Sequence, residues 1–66
     1  MKLYFQNKFD KEIIIAYPNN IDEAFLEIKK FLNEHHFKSY YTRIWKENNR
    51  LIFDVGSHSE FFFLEE

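Results

Sequence analysis

Cysteine is absent from this 66-residue chain, and glycine and proline occur once each. The first absence excludes a disulfide framework and a thiolate metal site. The scarcity of the other two leaves no material for a Gly- or Pro-rich linker, and no low-complexity run suggests a disordered tail. A basic excess is missing as well. Nine Lys and Arg stand against eleven Asp and Glu, a formal charge of −2, so the clustered positive charge that meets nucleic-acid phosphates is lacking and duplex nucleic acid is not an expected partner. No charge-free run approaches the roughly 20 apolar residues needed to cross a bilayer. The start of the chain, M-K-L-Y-F-Q-N-K-F-D, holds no apolar stretch of signal-peptide length. No membrane association is therefore expected, and the cytoplasm is the expected compartment. Gly-rich phosphate loops and H-E-x-x-H motifs are also absent.

What the chain has in quantity is aromatic: nine Phe, four Tyr and one Trp, 21% of all residues. A single domain, residues 1–66, is the expectation. At that length a core without disulfide or metal staples must come from packing, and aromatic side chains bury the most area per residue.

Two short runs rich in β-branched and aromatic residues open the chain, Lys2 to Gln6 and Lys11 to Tyr17, joined by Asn7-Lys8-Phe9-Asp10. They predict an antiparallel hairpin. Ile13, Ile14 and Ile15 place apolar side chains on both faces of the second run, which predicts a strand interior to the sheet or covered on both sides. Pro18 ends it, having no amide hydrogen for a ladder. Asn20 is suited to cap a helix, with Asp22 and Glu23 at the positive end of its dipole. From there Ile21, Ala24, Phe25, Ile28, Phe31, Leu32 and His35 recur at steps of three or four, a full amphipathic stripe. Leu26 lies off that stripe.

The longest patterned stretch runs from Phe37 to Leu64. Asn tolerates the positive φ angles that a two-residue type I′ loop requires, so Asn48-Asn49 predicts a hairpin turn. It opposes Glu47 to Arg50, Trp45 to Ile52, Ile44 to Phe53 and Arg43 to Asp54. Alternation then deals Thr42, Ile44, Leu51, Phe53 and Val55 to one face and Tyr41, Arg43, Trp45, Ile52 and Asp54 to the other. Gly56 marks a loop or bulge, and Phe61 to Leu64 predict a last strand. The order is β-β-α-β-β-β, an α+β fold of two layers with one helix packed on a four- to five-stranded antiparallel sheet. A single helix about 10 Å wide covers one side only. Tyr41, Trp45, Ile52 and one or two of Phe61, Phe62 and Phe63 are left for the other side, where exposure of three large rings forgoes several kcal/mol, on the order of a small domain's stability. A second surface is expected to cover them.

Tyr41, Arg43, Trp45, Ile52 and Asp54 form the expected partner-binding patch, since Trp, Tyr and Arg dominate interface hot spots. The plainer reading of Arg43 opposite Asp54 is a cross-strand ion pair. Arg43 with His58 could instead meet a small anionic ligand such as a nucleotide phosphate between subunits. His35 and His36 diverge by about 100° around a helix, so no metal site is expected. Ser57-His58-Ser59-Glu60 has triad residue types, but four neighbours in a row cannot converge in space; neither catalysis nor a cofactor is expected.

The segments F-K-S-Y-Y-T-R-I-W and F-D-V-G-S-H-S-E-F-F-F resemble parts of short proteins, without assigned activity, encoded by phages and prophages of AT-rich Gram-positive bacteria. That resemblance implies a setting and no residue roles: small phage accessory proteins often bind and block a host protein, including components of anti-phage defence, or sequester nucleotide signals. The expected function is a non-enzymatic inhibitor of a host protein that acts through the aromatic face, forms a homodimer, or both. The alternative is an oligomer that holds a small nucleotide or other anion between subunits.

Overall fold

A computed structural model describes residues 1–35, 42–56 and 60–66. The described elements follow the expected order: β1 (Lys2–Gln6), β2 (Glu12–Ala16), α1 (Ile21–Glu34), β3 (Arg43–Glu47), β4 (Arg50–Asp54) and β5 (Phe61–Glu65). The strands form one antiparallel sheet in the order β2-β1-β5-β4-β3. The two hairpins thus sit at the two sides, and the last strand closes the sheet between them.

Each turn has a local cause. Asn48 and Asn49 take φ of 47° and 68°, the left-handed pair that a type I′ loop needs. The expected hairpin register is the observed one, Arg43↔Asp54 through Glu47↔Arg50. In the first hairpin the Asn7 carboxamide oxygen accepts from the amides of Phe9 at 2.8 Å and Lys11 at 3.2 Å, and Asp10 takes the positive φ, 61°. At the start of α1 the Asn20 side chain accepts from the Glu23 amide at 2.8 Å. Glu23 in turn accepts from the Asn19 amide at 2.9 Å, a reciprocal cap shifted one residue outward from the usual box.

Helix α1 lies on one face and buries Ala24, Ile28 and Leu32 against Leu3, Phe5, Phe53, Val55, Phe62 and Leu64. Phe rings dominate this layer. Phe5, Phe31 and Phe62 meet pairwise at 4.6 to 5.6 Å between centroids, and Phe25 meets Phe53 edge-on at 5.2 Å. The helix shelters the central strands and stops short of the outer ones. Phe53 is fully buried, yet Ile44 opposite it on β3 is exposed; Phe5 is buried, yet Ile13 opposite it on β2 is exposed.

The expectation that the Ile13–Ile15 strand lies inside the sheet is overturned, because β2 is an edge. Only Ile15 and Ala16 pack on the core, while Ile13 and Ile14 stand exposed on opposite faces. The three-Ile run had two explanations, a buried strand or an unguarded edge, and periodicity does not separate them.

Candidate partner-binding face

Strand alternation and registry together define the face away from α1. Ile14 opposes Tyr4, Tyr4 opposes Phe63, Phe63 opposes Ile52 and Ile52 opposes Trp45. One apolar row therefore crosses all five strands. It is flanked on one side by Glu12, Gln6, Phe61, Asp54 and Arg43, and on the other by Lys2, Glu65, Arg50 and Glu47.

The row is roofed unevenly. Trp45 and Ile14 at its ends are exposed, Tyr4 and Phe63 are half-buried, and Ile52 is buried. Ile52 and Asp54 were expected on an accessible patch, and both are buried instead, at 7% and 5% exposure. The cause is registry. Ile52 sits between Trp45 and Phe63, and Asp54 between Arg43 and Phe61, so larger neighbours close over each.

Arg50, which the sequence pattern did not single out, supplies the middle of the roof. Its guanidinium stands 5.2 Å from the Tyr4 ring centroid and 5.1 Å from that of Phe63. Its far edge donates to both carboxylate oxygens of Glu12, at 2.9 and 3.3 Å, and Nε donates to Glu65 at 3.0 Å. The hydrogen bonds that Arg50 donates to Glu12, ahead of the one to Glu65, hold its pKa above the ordinary value against the cost of partial burial. Glu12 lies three strands from Arg50, about 14 Å at ordinary strand spacing. The side chain therefore lies flat along the sheet and ties the β2 edge to β4 across two intervening strands. The signal was present in part, since alternation in K-L-Y-F-Q places Tyr4 opposite the core. A contact spanning three strands has no local signature.

Arg43 and Asp54 form the expected cross-strand pair, with Nη2 to Oδ2 at 2.7 Å. The second carboxylate oxygen accepts from the Gly56 amide at 3.0 Å. The Arg43 hydrogen bond first, then that of the Gly56 amide, lowers the Asp54 pKa despite desolvation. Arg43 itself is largely exposed. Tyr41 and His58 lie outside the described residues, as does His36.

No protein-family model, curated protein or solved structure matches the chain. The face has to be read from its own chemistry. Both described arginines on it are already paired with carboxylates, so much of their charge is neutralised before an anion arrives. Among the described residues no group of three or more His, Asp or Glu gathers in metal-binding geometry. No described helix is long and apolar enough to cross a membrane. What the face offers is area, two half-buried rings, an exposed indole and a charged rim in which Arg43 and Arg50 are paired.

Proposed function

We propose that this protein is a non-enzymatic binding module that docks a protein partner on the helix-free face of its sheet, with Trp45 as the anchor at one end, Arg43 beside it, and Phe63, Tyr4 and Ile14 along the row toward the other edge. The observation that carries this reading is the unbroken row Ile14–Tyr4–Phe63–Ile52–Trp45 on the side without a helix. Exposed Trp beside Arg is the side-chain pairing that protein interfaces use as hot spots. The footprint of five strands of five residues is roughly 400 Å², about half of what one partner contributes to an interface of standard size. The partner therefore also reaches over a sheet edge or the strand ends. The phage-protein resemblance supplies the setting, in which the partner is a host protein and binding inhibits it.

The paired state of Arg43 and Arg50 favours this over capture of a small anion. The test is capture of partners from a Gram-positive bacterial lysate by the tagged chain and by its Trp45→Glu variant, followed by titration of the recovered partner against both. Loss of binding by the variant, with circular dichroism unchanged and with Leu26→Glu on the helix still competent, supports the reading. Equal binding by wild type and Trp45→Glu would overturn it, as would a calorimetric response to a nucleotide panel that vanishes in Arg43→Ala.

A further inference from the structure

The two edges of the sheet are built differently. On β3, the exposed side chains of Arg43, Lys46 and Glu47 flank Ile44 and Trp45, and charges on an edge strand are a common protection against pairing with another chain. On β2, Glu12 is followed by Ile13, Ile14, Ile15 and Ala16 with no charge among them. Ile13 and Ile14 are 53% and 44% exposed. An edge strand with a charge only at its first residue, exposed at Ile13 on one face and at Ile14 on the other, is a template for another strand.

Its hydrogen-bonding groups point the right way. The Asn7 amide donates to the Lys11 carbonyl at 3.0 Å. Alternation along an antiparallel pair then makes Phe5 and Ile13 a hydrogen-bonded pair and turns the amides and carbonyls of Glu12 and Ile14 away from β1, toward the open edge. The register shift between Leu3 and Tyr4 ends the regular part of β2 just after Ile14.

We infer that β2 pairs antiparallel with β2 of a second copy of this chain, about a two-fold axis through Ile13 or Ile14, to give one ten-stranded sheet. Three features select a second copy over an unrelated strand. The isoleucine run is self-complementary about Ile14, which sets Ile14 opposite Ile14 and Ile13 opposite Ile15 of the other copy. Glu12 falls opposite Ile14 or Ala16 of the other copy, so no like charges are opposed. Pairing consumes both β2 edges and leaves the two charged β3 edges outermost, so the assembly closes at two and does not grow into a fibre. Beyond this edge Ala16, Tyr17, Pro18 and Leu26 line one cleft together with Glu23 and Glu27, and Tyr17 and Leu26 are 70% and 65% exposed. The dimer leaves the helix-free face open and carries its apolar row across the axis, so this inference stands independently of the partner proposed for that face.

The experiment is sedimentation equilibrium over a hundredfold concentration range, on the wild type and on two β2 variants. Wild type is expected to approach twice the 8.2 kDa of one chain. Ile14→Lys places a charge on the edge, and Ile14→Pro removes an amide that β1 does not use; each is expected to halve the mass. Trp45→Ala, on the far edge, is expected to leave the dimer intact. A readout that needs no variant is amide exchange in the wild type, where protection of Glu12 and Ile14 is expected to rise with protein concentration while that of Phe5 stays constant. A wild type of single-chain mass at every concentration would overturn the inference. So would a dimer that persists in Ile14→Lys, or wild-type Glu12 and Ile14 amides whose exchange does not slow as concentration rises.

Discussion

On the helix side of the sheet Phe53 and Phe62 are sealed by rings of their own kind, whereas on the other side Tyr4 and Phe63 lie beneath a guanidinium. The first cover is an element of the fold, and nothing displaces it short of unfolding. The second is one flexible side chain held by carboxylates at the surface. A competitor that supplies better contacts to the rings can lift it, since the arginine and its partners regain water when they part. The same chain thus has a face that defines the fold and a face that can exchange its cover for a partner.

Truncation on the sealed face is the strongest way to break this contrast. Phe62→Ala removes a fully buried ring that touches Phe5 and Phe31. The expected loss is about 3–5 kcal/mol, comparable with the whole stability of a domain this small, so the variant is expected to be largely unfolded by circular dichroism at 25 °C. Ile52→Ala is the matched test on the other face. Ile52 is buried between Trp45 and Phe63 but has no helix above it, and those neighbours can settle into the vacated space. A loss of about 2 kcal/mol is expected in urea titration. If Ile52→Ala proves as damaging as Phe62→Ala, the two faces are equivalent and the second is simply more core.

Arg50→Ala sharpens the comparison by removing the roof alone. Two ring contacts of about 0.5–1 kcal/mol each and half-exposed ion pairs of 0–1 kcal/mol give an expected loss of about 1–2 kcal/mol. Part of that loss is expected to disappear in high salt, where the wild-type ion pairs are screened. Arg50→Lys is expected to recover less than half, because an ammonium cannot match the two-pronged contact with Glu12 or lie flat on the rings. A stability difference between wild type and Arg50→Ala that ignores salt would show that hydrocarbon packing, and not charge, holds this side chain down.

These contrasts follow different degrees of legibility in the sequence. The hairpin of Arg43 to Asp54, its register and its two faces could be read from two asparagines and alternation, because turn chemistry and strand period are local. The helix was legible from Asn20 and the stripe ending at His35. The insertion of β5 between β1 and β4 was not, since alternation says which way a side chain points and nothing about which strand lies beside it. The position of β2 at an edge is not legible for the same reason, nor is the burial of Ile52 and Asp54, which depends on the size of cross-strand neighbours. Arg50 escaped because its partners come from β2 and β5, 38 and 15 residues away in sequence.

Acid tests the other charged contact on the open face. Asp54 has its pKa lowered below the ordinary 3.8 in the folded chain, chiefly by the Arg43 hydrogen bond. Its contribution is therefore complete above the ordinary value and is lost as pH falls through the lower folded one. Asp54→Asn is expected to lose up to about 1 kcal/mol at neutral pH, the partner being largely exposed. Its stability is also expected to fall less than that of the wild type between pH 4 and pH 2 in thermal melts. Parallel acid limbs for the two proteins would mean that Asp54 is not what acid removes from this face.

The smallest expected effect is that of Asn49→Gly, at the turn that decides which face each side chain of β3 and β4 joins. Asn49 holds a φ of 68°, a conformation that glycine adopts without steric cost and asparagine at a modest one. Asn49→Gly also creates the Asn-Gly pair that type I′ hairpins favour. A gain of a few tenths of a kcal/mol is expected, offset in part by the greater freedom of glycine in the unfolded chain. Asn49→Val should instead cost about 1–2 kcal/mol, because a β-branched side chain is forced into the left-handed region. If urea titration shows both variants unchanged, the register that separates Trp45 from Ile44 is held by cross-strand packing, and the turn merely accommodates it.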